Sequence, residues 1–142
     1  MLDHGLFDAL GKIHRFDDLE GLLDFATQAV VEQGDWKLAI VTYYLREEPF
    51  YGATGCDPEL KDRFREGFHR TSRAARERKR EAIMGFCRPG TNICFIPAGE
   101  GPRTGHSYVP GAEGEGTWHP DDRLMIMIRD WQDNIIGLLS LD

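Results

Sequence analysis

Five apolar residues in a row, Leu124-Met125-Ile126-Met127-Ile128, run into the polar stretch Arg129-Asp130-Trp131-Gln132-Asp133-Asn134. A second apolar run, Ile135-Ile136-Gly137-Leu138-Leu139-Ser140-Leu141, follows at once. Two apolar runs joined by a short polar turn predict a β-hairpin. Neither run alternates apolar with polar residues, as a strand with one wet face does. Both strands are therefore expected in the interior of an antiparallel sheet covered on both faces.

The rest of the chain is punctuated as clearly. Leu6, Leu10 and Ile13 share one face of a short helix over residues 6–15. Asp17 caps a second helix, with Glu20 three residues on in the pattern of a capping box. Leu19, Leu22, Leu23, Ala26, Ala29 and Val30 then recur at helical spacing, until Gln33-Gly34-Asp35 ends the helix. Trp36 to Leu45 reads as a strand, Arg46-Glu47-Glu48-Pro49 as a turn, and Phe50 to Thr54 as a second strand stopped by Gly55. Asp57-Pro58 starts a long helix with a capping residue and proline at the first position. Its apolar stripe is Leu60, Phe64, Phe68, Thr71 and Ala75, with the arginines expected on other faces. Gly67 weakens that helix without breaking it. A further apolar patch, Ile83-Met84-Gly85-Phe86, precedes the Pro89-Gly90 turn and a third strand, Asn92 to Pro97. Residues 98–120 hold six glycines and three prolines and read as a long loop. Loops of that length in a compact domain are functional or disordered, and this one carries His106, Tyr108, Trp118 and His119.

Length and composition narrow the class. At 142 residues, with 41% hydrophobic and 11% aromatic content, the chain is a single globular domain with a real core, spanning 1–142. No apolar run is long enough to cross a membrane. The first residues have neither the basic start nor the apolar core of a signal peptide, so a cytoplasmic location is the expectation. Three cysteines, Cys56, Cys87 and Cys94, without a CxxC pair, point to reduced thiols rather than a disulfide framework. The net charge of −7 is unevenly spread, since residues 61–80 carry nine Lys/Arg against three Asp/Glu. An acidic body disfavours nucleic-acid binding. The basic block is read first as a solvated helix face, and second as a local anion site.

The order helix, helix, strand, strand, long helix, strand, variable loop, strand, hairpin, strand resembles a GAF domain. The residues that carry the likeness are Phe95-Ile96-Pro97, Trp118-His119-Pro120-Asp121-Asp122, Leu124 to Arg129, and Ile135 to Asp142. The closest flavour is that of bacterial sensor proteins, beside PAS, GGDEF or histidine-kinase modules. The resemblance implies an α+β, profilin-like fold with a central antiparallel sheet of five or six strands. Terminal helices would lie on one face, and a ligand pocket roofed by the segment between the third and fourth strands on the other. It also implies a regulatory domain, possessing no catalytic residues of its own, that acts on a covalently attached output module. Such domains usually continue past the last strand into a helix, so the chain is expected to be a fragment of a larger signalling protein.

Chemistry beyond binding finds little support in these residues. Thirty residues lie between Cys56 and Cys87 and six between Cys87 and Cys94. That is not the spacing of the GAF branch that reduces free methionine sulfoxide, and Cys94 sits in an apolar strand. No Cys-His dipeptide is present for bilin attachment. His69, His106 and His119 could each ligate haem, but nothing in their spacing favours it. Zinc would need more converging ligands, and no Gly-rich phosphate loop opens a helix. No cofactor is named and no metal site is expected. The candidate ligand-binding residues are Trp118, His119, Tyr108 and His106 in the loop, with Phe95 and Arg88 near it. A homodimer through the helices at 6–15 and 17–33 is expected, because Leu6, Phe7, Leu10 and Ile13 offer more apolar surface than a free terminal helix should expose. The reading from another class is a dimerisation module with a vestigial pocket, and a small thiol-based redox enzyme is the third.

Overall fold

Five strands pair antiparallel in the order β2-β1-β5-β4-β3 in a computed structural model that describes residues 19–45, 48–101 and 122–142. In chain order the elements are α1 (Leu19–Gly34), β1 (Ala39–Leu45), β2 (Glu48–Thr54), α2 (Pro58–Arg70), α3 (Arg73–Met84), β3 (Ile93–Ile96), β4 (Arg123–Arg129) and β5 (Ile135–Leu141). The apolar hairpin occupies the middle of the sheet: β5 is the central strand, flanked by β1 and β4. Its turn is built by Asp130, whose carboxylate accepts from the backbone N–H groups of Gln132 and Asn134, both at 2.9 Å. Asp133 takes the left-handed conformation (φ 68°) that a tight turn requires.

Residues directly opposite in antiparallel strands point to the same face. Ile40, Ser140, Met125 and Cys94 are in register across β1, β5, β4 and β3, and therefore share a face. Helices α2 and α3 cover that face. Ile83 of α3 packs with Cys94, Ile96, Met125 and Met127 over the β3–β4 half. Phe64 and Phe68 of α2 pack on Leu38, Ile40, Tyr51 and Ala53 over the β1–β2 half. Helix α1 lies on the opposite face and crosses β2 so closely that a Cβ at Gly52 would sit 2.6 Å from the backbone of Leu23. Across the rest of that face, Leu124, Ile126 and Ile128 are half-buried, while Ile93 and Phe95 of β3 are 48% and 44% exposed. The covered-sheet expectation thus holds for the central strands and weakens toward β3.

Both outer strands have backbone partners beyond the sheet. On β2, the N–H of Tyr51 donates to the Glu20 carboxylate and the N–H of Ala53 to Asp24, each at 3.0 Å. Lys61 and Arg65 of α2 neutralise those carboxylates, Lys61 at 2.7 Å from Asp24. On β3, the chain returns through the Pro89-Gly90 turn, so that Cys87 bridges Cys94 and the Arg88 N–H donates to the Ile93 carbonyl at 2.9 Å.

The class and the size of the sheet are those expected of a GAF-like α+β domain. Several local expectations need correction. The long helix after Asp57 is two helices. Thr71 and Ser72 are extended (ψ 128° and 155°), and the Ser72 hydroxyl caps α3 by accepting from the Ala75 N–H. A serine whose side chain can take the place of a helical acceptor favours this break over continuation. Glu48 and Pro49, read as turn, belong to β2, where proline is tolerated on an edge strand. The expected helix at 6–15 and the cap at Asp17 lie outside the described residues. Among the described residues, no helix is long and apolar enough to cross a membrane.

Candidate functional site

The break between α2 and α3 splays the two helices over β1, and the space between them is a cavity of about 370 Å³. Its floor is the sheet: Ile40, Thr42 and Tyr44 of β1, Tyr51 of β2 and Leu138 of β5. Its walls are Phe64, Gly67 and Phe68 of α2, then Thr71 at the break, and Arg76, Lys79 and Arg80 of α3, with Arg63 at the side. The volume is in the range of small-molecule sites. Gly67 keeps the α2 wall thin, since a Cβ there would meet nothing within 4 Å. A second hollow of about 220 Å³ adjoins the first, sharing Tyr44, Arg76 and Arg80 and extending to Ile135 and Ile136.

Charge in the cavity is one-sided. Four cations line it, and among the described residues no carboxylate does. Glu77 lines the adjoining hollow, where it pairs with Arg73 at 3.1 Å and also acts on Arg80, and Lys61 pairs with Asp24 away from the cavity. The Arg76 and Arg80 guanidiniums stack over the Tyr44 ring, 4.3 and 5.0 Å from its centroid. Arg80 also donates to the Ile135 carbonyl at 3.2 Å, which fixes it against β5. Burial, and then the neighbouring Arg123 guanidinium, hold Lys79 below the usual lysine range.

The phenols are the other polar groups. Tyr51 is 3% exposed, and its hydroxyl has no hydrogen-bond partner among the described residues. Burial, then the nearby Cys56 and Asp24, push its pKa well above the ordinary phenol value, so it stays a neutral donor. Burial also raises Tyr44, against the pull of the Arg76 and Arg80 guanidiniums beside it. A buried hydroxyl left without a partner costs free energy unless something else satisfies it.

The sequence candidates fall differently. His106, Tyr108, Trp118 and His119 lie outside the described residues. Phe95 is on β3, on the face opposite the cavity, and Arg88 is exposed in the α3–β3 connection; neither lines the cavity. The two ends of the Gly-rich segment are tied together, as the Ala98 N–H donates to Asp122 at 2.9 Å and Arg123 to the Glu100 carbonyl at 2.7 Å. The residues that do form the site come from the basic block, first read as a solvated helix face. Their signal was present in the interleaving of Phe64, Phe68, Arg76 and Arg80, which puts aromatic and basic side chains around one space once the helix breaks.

The cysteines also correct an expectation. Cys87 and Cys94, read as reduced thiols, form a disulfide, because the Pro89-Gly90 turn folds the two residues directly opposite one another. Cys56 is free, and burial raises its thiol above the ordinary cysteine value, which makes it a poor nucleophile. Among the described residues no group of His, Cys, Asp and Glu could hold a metal ion.

No protein-family model and no curated protein matches the chain. Among solved structures, it is similar to the chromophore-binding domain of the Stigmatella aurantiaca bacteriophytochrome in the Pr state, at 16% identity and a TM-score of 0.46. The match covers 97% of this chain and 49% of that one, so the chain spans about half the length of its structural neighbour.

Proposed function

We propose that the chain is a non-catalytic sensory domain that binds a small molecule between its sheet and the α2–α3 layer and controls an attached output module. The observation that carries this reading is the cavity itself. It is walled by aromatic rings, and it lies between two short helices joined by an extended hinge. A molecule bound there would contact both helices and the central strand, and so could bias their relative placement. The resemblance to GAF domains of bacterial sensors points to the same role, with an output module such as a diguanylate cyclase or histidine kinase. Native mass spectrometry of freshly purified protein checks the reading. An adduct lost on denaturation supports it, whereas a bare chain that no small-molecule library stabilises against heat would defeat it.

Homodimerisation through the N-terminal helices and a cytoplasmic location belong to the same proposal. Light scattering at high micromolar concentration should give twice the chain mass, and a monomer there would remove the dimer from the reading.

A further inference from the structure

We propose that the ligand is an organic anion, a carboxylate or phosphate ester carried on an apolar ring, and that Lys79 with Arg76 and Arg80 reads its charge. The inference rests on the small-molecule reading above and specifies the chemistry of that site.

Two independent observations converge on it. The first is an excess of positive charge: Arg63, Arg76, Lys79 and Arg80 line one cavity with no Asp or Glu of the described residues, while Glu77 in the adjoining hollow pairs with Arg73 and acts also on Arg80. Clusters of like charge are self-repelling, and a partly buried cluster retains that cost unless an opposite charge enters. Lys79 is already disfavoured as a cation by burial and by Arg123. An anion would remove that penalty. The second is the apolar remainder of the lining. Phe64, Phe68, Ile40 and Leu138 offer a surface that hydrates poorly and that a ring would cover. Inorganic phosphate alone would leave that surface wet. A cationic ligand meets repulsion from four side chains, and a neutral one leaves their excess charge in place.

The test uses three probes of matched shape: naphthoate, naphthyl phosphate and the neutral naphthalenemethanol. Affinities are read by isothermal titration calorimetry on the full chain. Charge-assisted hydrogen bonds exceed neutral ones by enough to separate the anions from the alcohol by about tenfold or more. Lys79→Met should weaken the anions by about tenfold and leave the alcohol unchanged. Gly67→Leu should weaken all binding, because residue 67 lines the cavity and a side chain there meets no protein atom that would hold it back, while leucine suits a helix better than glycine. Circular dichroism verifies that both variants fold. Whichever anion is tighter identifies carboxylate or phosphate recognition, and either result supports the proposal. Equal or tighter binding of the alcohol, still sensitive to Gly67→Leu, overturns the anion assignment and leaves the small-molecule site standing. Failure of all three probes at millimolar concentration overturns both.

Discussion

Lys79 shows how a single side chain links charge to stability. Its folded pKa is lowered, so between that value and the ordinary 10.5 the unfolded chain holds more protons than the folded one. Stability must then rise with pH through that window, and at neutral pH the charged lysine costs stability. Lys79→Met should therefore unfold at higher urea than the parent at pH 7. The gap should narrow as pH approaches and passes 10.5, which urea titrations at several pH values would show. The glycines give a contrast in sign. Gly52→Ala drives a Cβ into the backbone of α1 and should destabilise by about 3 kcal/mol or more, since neither backbone can give way. Gly67→Ala meets nothing and should stabilise by up to about 1 kcal/mol. From the sequence, the two glycines are indistinguishable. Only the packing of α1 on β2 separates a glycine that permits contact from one that leaves space.

At the scale of elements, much was legible. The two uninterrupted apolar runs placed β4 and β5 in the interior of the sheet, and Asp57-Pro58 placed the start of α2. Helix periodicity could not find the α2–α3 break, because Leu60, Phe64, Phe68, Thr71 and Ala75 keep helical spacing across it. Ser72 as a cap competes locally with a helix that would otherwise continue. The cavity was illegible for the same reason, since it exists only because the two helices part. The link between α1 and β2 depends on tertiary contact as well. Asp24→Ala would leave the Ala53 N–H and Lys61 without their acceptor, and should cost about 1–3 kcal/mol in chemical denaturation. Asp24→Asn keeps an acceptor for the N–H and should lose less.

For the molecule as a whole, the Cys87–Cys94 disulfide joins the end of the α3 layer to the sheet. Its loop is short, so its contribution through the unfolded chain should be near the low end of the usual range, about 2 kcal/mol. Dithiothreitol should lower the midpoint of thermal unfolding accordingly. Cys94→Ser should reproduce the loss, whereas Cys56→Ser should leave the redox response intact.

The carboxylates on β2 and the returning turn on β3 have a consequence beyond the single chain. A sheet grows by recruiting a strand from a neighbour wherever its outermost backbone still has hydrogen bonds to offer. Here the salient N–H groups of one border are taken by Glu20 and Asp24, and the other border is met by the Cys87–Arg88 segment. The five strands form a terminated set, one that resists fibrillar stacking and strand exchange between copies. Any assembly into pairs is thereby directed to side-chain surfaces, where helix can meet helix without the sheets of two molecules fusing into one.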